Sequence, residues 1–405
     1  MAWEWKTLDQ LGSVSRGRSK HRPRDDESLY GGIYPFIQTA DVKRSNFYIT
    51  EYSQTYNERG LAQSKLWRAG TLCFTIAANI ADSAILGIDA CFPDSIMGFI
   101  PYEGVSDVRF VKYCFDVLQQ QCKQISQGAT QDNLSWEKLS TIKFPAPDYK
   151  TQQKIADILS AYDNLIENNQ KQIKLLEEAA QRLYKQWFID LRYPGHETTP
   201  IVDGLPKGWR KVTLGSALSK ITTGLNPRKN FVLGQGKNFY VTIKNMGDNN
   251  IYLDDKCDRV NDEALEKINK RSDLKTGDIL FSGIGTIGRV YLIDIPTNNW
   301  NVSESVFTMR VNECVSKEFL YLMLLSDDVQ SYCDLHAHGV AQRGIRMADL
   351  KEYKFVLPEN KIIDSFTTMV EPIIEKTQIL RKSINYAAES RDRLLPKLMN
   401  GELEV

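Results

Sequence analysis

A chain of 405 residues, 42% hydrophobic and 25% charged, has the make-up of a soluble globular protein and room for two to four domains. Its 51 basic and 51 acidic residues cancel, so bulk charge excludes a broadly polycationic surface, and any contact with nucleic acid must rest on local patches. Seven scattered cysteines with no C-x-x-C pair argue against a zinc ribbon or a disulfide framework.

The first residues, Met1 to Lys6, carry neither a basic nor an apolar leader segment. Residues 1–147 alternate short apolar runs with Gly, Pro and Asn turns, which predicts strands at Tyr34–Ile37, Thr71–Ile76 and Ile96–Ile100, then a helix at Val108–Gln124. The longest apolar stretch, Thr71 to Ile88, is broken by Asn79 and Asp82 and reads as strands rather than a membrane span, so no membrane and a cytoplasmic location are expected.

Residues 148–192 form a long helix. Its spine, Ile155, Leu159, Tyr162, Ile166, Asn169, Ile173, Leu176, Ala180, Leu183 and Trp187, steps four and three without a break, which is a heptad seam. Asn169 admits two readings, a solvated spot or a polar residue that fixes register across the seam. Residues 193–206, rich in Pro and Gly, read as a linker.

Residues 207–358 repeat the first pattern, with strands at Asn238–Ile243, Asp278–Ser282, Arg289–Ile293 and Ser305–Val311 and a helix at Lys317–Cys333. Residues 359–405 hold a second heptad helix through Phe366, Val370, Ile373, Thr377, Leu380, Ile384, Ala387, Arg391, Leu394 and Leu398. Pro372 is expected to start or kink it, Pro396 to bend its last turn, and Arg391 to lay its stem along the seam. Each spine spans roughly 45–50 Å at about 1.5 Å per residue. Because the chain returns through a whole globule between them, the two helices are expected to pair antiparallel.

The chain is thus written twice. From Gly128/Gly339 through Leu183/Leu394 to Trp187/Leu398 the copies keep a constant offset of 211. Upstream, Gly70 aligns with Gly277, and Trp5 with the Leu11-Gly12-Ser13 turn is matched to Trp209 with Leu214-Gly215-Ser216. A period this long means domain duplication, not a solenoid. The fold class is α+β: two duplicated globules with mostly antiparallel sheets, joined by two long antiparallel coiled-coil helices with pseudo-two-fold symmetry.

Catalytic motifs are missing: no Walker loop, no H-E-x-x-H and no G-x-S-x-G. Gly283-Ile284-Gly285-Thr286-Ile287-Gly288 matches G-x-G-x-x-G, but strand-like residues follow where a phosphate site needs a helix N-terminus, and the other copy has no glycine there. A turn between strands is the better reading. Such a turn, with Thr286 here and Asn79 in the first copy, can approach a DNA backbone closely. The four histidines show no metal-ligand spacing, so no metal is expected.

Local charge points to DNA. Arg16, Arg18, Lys20, His21, Arg22 and Arg24 cluster in a loop suited to phosphate contacts, with Arg228 and Lys229 in the matching stretch of the second half. The loops before each closing strand carry Gln131 and Asn133 in one copy and Gln342, Arg343 and Arg346 in the other, side chains that can pair with base edges. Gln38, Lys43 and Arg44, with Lys244 and Asn245, complete the candidates. Because the two sets differ, two different sequences should be read. The plain alternative for each is a solvated loop or a turn cap.

In the order of these elements, twice over, the chain resembles the specificity subunit of type I restriction-modification systems. The likeness rests on the Trp-Leu-Gly openings, Gly70 and Gly277, Gly128-Ala129-Thr130-Gln131, the Pro145/Pro147-Gln152-Gln153-x-Ile155 run, and Arg393-Leu394-Leu395-Pro396-Lys397-Leu398. It departs at Ile362-Ile363-Asp364-Ser365-Phe366, where the second helix lacks the Gln-x-x-Ile start. The resemblance implies a non-catalytic reader of double-stranded DNA, with residues 1–147 and 207–358 as target recognition domains for the two halves of a split site. It implies helices that set the spacer and dock two methyltransferase subunits, with restriction/translocase subunits joining them. S-adenosylmethionine, ATP and Mg are then expected on the partners and no cofactor on this chain. A fused methyltransferase-endonuclease and a protein-binding scaffold are the competing readings.

Overall fold

The computed structural model describes residues 3–76, 82–125, 136–247, 249–339 and 343–405. The chain divides into two compact units: residues 1–171 with 381–405, and residues 172–380. Each unit therefore takes a globule and a segment of both long helices.

In the first unit, strands Gly12–Arg16, Ile96–Pro101, Leu72–Thr75, Ser83–Leu86 and Tyr48–Ile49 lie in that order in one sheet. All pairs are antiparallel except the last. A second sheet runs Gln54–Tyr56, Tyr30–Phe36, Ala90–Cys91, Leu66–Trp67. Leu72 to Thr75 and Ser83 to Leu86 are buried throughout, because Val108–Ile125 and the small second sheet cover both faces. In the second unit the corresponding sheet is Leu218–Thr223, Val306–Val311, Ile279–Ser282, Val290–Leu292, the same order and the same antiparallel sense. Its smaller sheet, Asp258–Val260, Asn238–Val241, Trp300–Val302, has one antiparallel and one parallel pair about its central strand, as the strand Tyr30–Phe36 does in the first unit. The duplication is thus present in topology as well as in sequence. Gly70 and Gly277 sit at matching turns with φ of +88° and +93°, a left-handed conformation that favours glycine. Their N–H groups donate to Leu86 and Ile293 at 2.8 Å each.

Register corrects one alignment. Lys6 pairs with Phe144, and Val212 with Phe355, so Trp3, not Trp5, is the counterpart of Trp209. Leu8 and Leu214, both fully buried, follow at the same offset of 206.

The helices read as expected, with local differences. Val108–Ile125 is helical, but the single helix expected at Lys317–Cys333 is two, Lys317–Leu324 and Asp327–Leu335. Ser326 takes an extended backbone and its hydroxyl donates to Met323 O at 2.6 Å, which closes the first; Asp327 and Asp328 then favour a new N-terminus. The linker holds a short strand pair, Ile201–Val202 with Leu205–Pro206.

The long helices are Tyr149–Tyr184, continued by a π-turn at Lys185–Ile189, and Asn360–Met399. Pro372 neither starts nor ends the latter, which begins upstream and runs through both prolines, both of them exposed. At the first helix start Gln152 is buried, donating to Val105 O and Pro147 O and accepting from Asp107 N. Ile363 holds the equivalent place in the second helix and is buried in apolar surroundings, so the departure from the Gln pattern is a change of chemistry at a kept position.

Pairing is antiparallel in each unit. In the first, Asp163 meets Arg391 and Asn169 Nδ2 donates to Ser383 Oγ at 3.0 Å, while Ile155 and Leu159 share a core with Leu395 and Leu398. In the second, Tyr184, Trp187 and Phe188 surround Phe366 with ring centroids 4.7–6.3 Å away. The register reading of Asn169 is the one realised. Ile155, Leu159, Ile166, Phe366, Val370 and Leu380 are buried as the heptads predict, while Tyr162, Ile173, Leu176, Leu183, Ile373, Ile384 and Leu394 are half-buried. Asp163, Phe188, Ile374 and Leu395 are buried beside them, so the buried face is wider than the heptad seam. Arg391 does more than snorkel: its guanidinium is engaged by Asp163 and by Asp392 at 2.8 Å.

Candidate nucleic-acid interface

In the first unit the basic loop leaves strand Gly12–Arg16 and is clamped at its base. Gly17 N donates to Ile96 O at 2.8 Å and Arg18 N to Phe92 O at 2.9 Å. A Cβ on Gly17 would lie 2.3 Å from Pro93 O, so only glycine fits this close approach. Beyond it the basic side chains divide. Arg22 turns back to Ser19 O and His21 O at 2.7 Å each, and Arg24 bonds Asp94 at 2.5 Å. His21 holds Asp26 at 2.7 Å. Arg16, Arg18 and Lys20 are exposed and have no ionic partner among the described residues; alternating along an extended segment, they share a face.

Gln38 precedes the short helix Thr39–Arg44 and donates to Gln54 Oε1 at 2.6 Å. Together with Ser19, Arg24, Asp25 and Tyr30 it lines a cavity of about 650 Å³, so the basic loop and Gln38 are neighbours. Lys43 is exposed; Arg44 is tied to buried Asp41 at 2.6 Å.

In the second unit three candidate segments converge. The glycine turn 283–288 joins strands Ile279–Ser282 and Val290–Leu292, so it is a turn between strands, with Gly285 and Gly288 at φ +80° and +89°. Gly285 N donates to Arg343 O at 2.7 Å and Ile345 N to Gly283 O at 2.8 Å, which seats residues 343–345 on this turn. Arg289 reaches back to Ile243 O at 3.3 Å, bringing in the Ile243–Asn245 turn. Thr286, Lys244, Arg343 and Arg346 are exposed on these segments, and Arg343 also donates to Asp334 O at 2.8 Å. Asn245 is buried and caps its own turn, accepting from Thr242 N at 2.9 Å and Thr242 Oγ1 at 3.0 Å. Arg228 and Lys229 are exposed on a separate turn, Pro227–Lys229, capped by Asn226. Asn79, Gln131, Asn133 and Gln342 lie outside the described residues.

Sequence reading missed a second kind of surface. In the first unit Ile158, Leu165 and Tyr386 are exposed on the helix segments; in the second, Leu175, Met369 and Ile379 are. Ile158/Met369 and Leu175/Tyr386 stand at the repeat offset of 211, so each unit presents one member of each pair. Their heptad places outside the seam were the available signal. Among the described residues no His/Cys/Asp/Glu cluster suits a metal, and no helix is long and apolar enough to cross a membrane.

A family model for the type I restriction modification DNA specificity domain matches residues 2–178 and again 206–385. The chain belongs to the type I restriction-modification DNA specificity family. The MjaIX specificity subunit of Methanocaldococcus jannaschii is 28% identical over all of this chain and 94% of its own length. The HindI specificity subunit of Haemophilus influenzae is 24% identical over 99% of this chain and all of its own. The crystal structure of the type I S subunit from M. genitalium shares the fold, with a TM-score of 0.60 at 16% identity, covering 98% of this chain and 96% of that one. This specificity chain is a DNA-recognition component and not a catalytic one.

Proposed function

We propose that the specificity chain reads a two-part site in double-stranded DNA, one part with each globule. Residues 1–147 and 207–358 act as the target recognition domains, helices 148–192 and 359–405 set the gap, and 193–206 links them. The observation that carries this is the repeated sheet carrying unlike exposed residues: Arg16, Arg18, Lys20 and Lys43 in one unit, Lys244, Thr286, Arg343 and Arg346 in the other. One scaffold with two sets of contacts gives an asymmetric target. The glycine turn and Arg343 suit groove contacts, and the alternating cations suit phosphates.

The matched apolar pairs on the outer helix faces support docking of two methyltransferase subunits in equivalent ways, since exposed apolar patches of this kind mark protein interfaces. Restriction/translocase subunits complete the assembly in the cytoplasm, with S-adenosylmethionine, ATP and Mg on the partners.

The test is the methylation motif. With its methyltransferase partner in a methylation-free host, the chain should direct adenine methylation at a two-part motif with a fixed gap, read by modification-sensitive sequencing. A continuous motif would mean that one globule reads alone, and would end the two-reader proposal. Within the assembled complex, replacing Arg16, Arg18 and Lys20 by alanine should weaken binding across all sequences. The log–log salt slope should flatten by about 2.7, at about 0.9 per phosphate contact. An unaltered slope in anisotropy titrations at several salt concentrations would take this loop out of the interface.

A further inference from the structure

The two units differ where the residue just before the first strand, Trp3 or Trp209, meets the end of a long helix. In the second unit this place is filled. Trp209 is 7% exposed; Tyr193 lies against it with ring centroids 4.7 Å apart, and Phe188 at 6.1 Å. Tyr353 and Met323 are buried in the same core. Tyr193 itself is 3% exposed and its hydroxyl has no hydrogen-bond partner, so the site takes the ring and ignores the oxygen.

In the first unit the same positions carry smaller or polar side chains. Ile142 stands for Tyr353, Met399 for Phe188 and Glu404 for Tyr193, all at the offset of 211. Cys114 stands for Met323, counted from helix starts at Val108 and Lys317. Glu404 is exposed and, with Gly401, Leu403 and Val405, borders Trp3 on the side of a neighbouring cavity, so no aromatic ring takes the place of Tyr193. What remains is a cavity of about 520 Å³ walled by Trp3, Cys114, Ile142, Phe144, Pro145 and Met399. Trp5, 62% exposed, stands at its lip, with Lys143 and Asn400 as polar groups. Protein interiors are close-packed, and a space of this size is that of a ligand site rather than a packing defect.

We propose that this pocket takes a tyrosine or phenylalanine side chain from an extended segment of another protein, in the part that Tyr193 plays in the second unit. The internal copy defines the chemistry: an aromatic ring stacked on the tryptophan, held in an extended backbone by a following proline, as Tyr193-Pro194 is. A second copy of this chain is disfavoured as donor, because its own Tyr193 is consumed in its own core. The pocket is separate from the DNA-facing loops and from the outer helix pairs.

The probe is a labelled synthetic peptide of residues 189–197, Ile-Asp-Leu-Arg-Tyr-Pro-Gly-His-Glu, titrated with the full chain and read by fluorescence anisotropy. Saturable binding is expected, retained when the peptide tyrosine is phenylalanine and weakened about tenfold or more when it is alanine. The pocket-filling variant Ile142→Tyr/Met399→Phe, which copies the second unit, should abolish binding while melting no lower than the parent chain. In the complex with its methyltransferase partner, a benzoylphenylalanine at position 5 should crosslink to an aromatic-bearing segment of that partner. No saturable binding, or binding indifferent to the peptide tyrosine or to pocket filling, overturns the proposal. So does a concentration-dependent dimer of this chain that competes with the peptide, which would assign the pocket to a second copy.

Discussion

Replacing Asp163 by alanine is expected to destabilise the first unit by about 1–3 kcal/mol, the cost of leaving a buried donor unsatisfied. Asp163 is 4% exposed on its side chain and Arg391 25%, and they meet across the helix pair. Tyr113 Oη donates to the second carboxylate oxygen at 2.5 Å. Burial, with the adjoining Asp163 carboxylate, pushes the Tyr113 phenol well above its ordinary value, so it stays a donor. Removing the carboxylate therefore leaves the Tyr113 hydroxyl without its acceptor and Arg391 with Asp392 alone. The second unit shows how the same place is built without charge: Leu322 stands for Tyr113, Ile374 for Asp163 and Ala180 for Arg391, all in one apolar core. The triple variant Tyr113→Leu/Asp163→Ile/Arg391→Ala should therefore return to within about 1 kcal/mol of the parent, since a buried ion pair and its apolar replacement differ little. Hydrogen exchange of the Val108–Ile125 helix amides measures both. A triple variant as unstable as the single one would mean that the first unit cannot adopt the packing of the second.

Deleting residues 168–174 and 379–385 should shorten the gap between the two halves of the methylation motif by about three base pairs. One heptad is about 10 Å of helix at about 1.5 Å per residue, and a base pair rises about 3.4 Å. The segments are chosen as partners. Asn169 faces Ser383, and the same antiparallel pairing places the rest of each segment against the other, so both leave together and the flanking seam stays in register. The half-sites themselves should be unchanged, because the loops proposed to contact DNA are untouched. An unchanged gap in the sequenced motif would remove the helices from any role as a ruler.

Much of this fold is legible in the residues because its signals are local. Heptad steps of four and three specify the buried face of each helix, and alternating apolar runs between glycine turns specify strands, with no knowledge of partners. Duplication reinforces both, since each copy is read twice. The break at Ser326 escaped because a serine inside an apolar helical run gives no sign that its hydroxyl will cap the preceding turn. Trp3 and Trp5 are alike in sequence, and only strand register says which matches Trp209.

The candidate interface was legible as a set of loops and not as a set of side chains. Composition marks Arg16 to Arg24 as basic, yet Arg22 and Arg24, though exposed, are held by Ser19 O and Asp94, while Arg16, Arg18 and Lys20 have no ionic partner among the described residues. Asn245 has the chemistry of a base reader and is spent on Thr242. Which polar group faces outward depends on hydrogen bonds between residues far apart in the chain, and these exist only once the sheet has formed. Periodicity and the 211-residue repeat were enough for the class of fold, the two globules and the helix seam, because burial of an apolar stripe is a one-dimensional property of the chain. The polar triad at Asp163, the open pocket beside Trp3 and the division of cations into bound and free were decided by tertiary packing, where the same scaffold is filled with different side chains in its two copies.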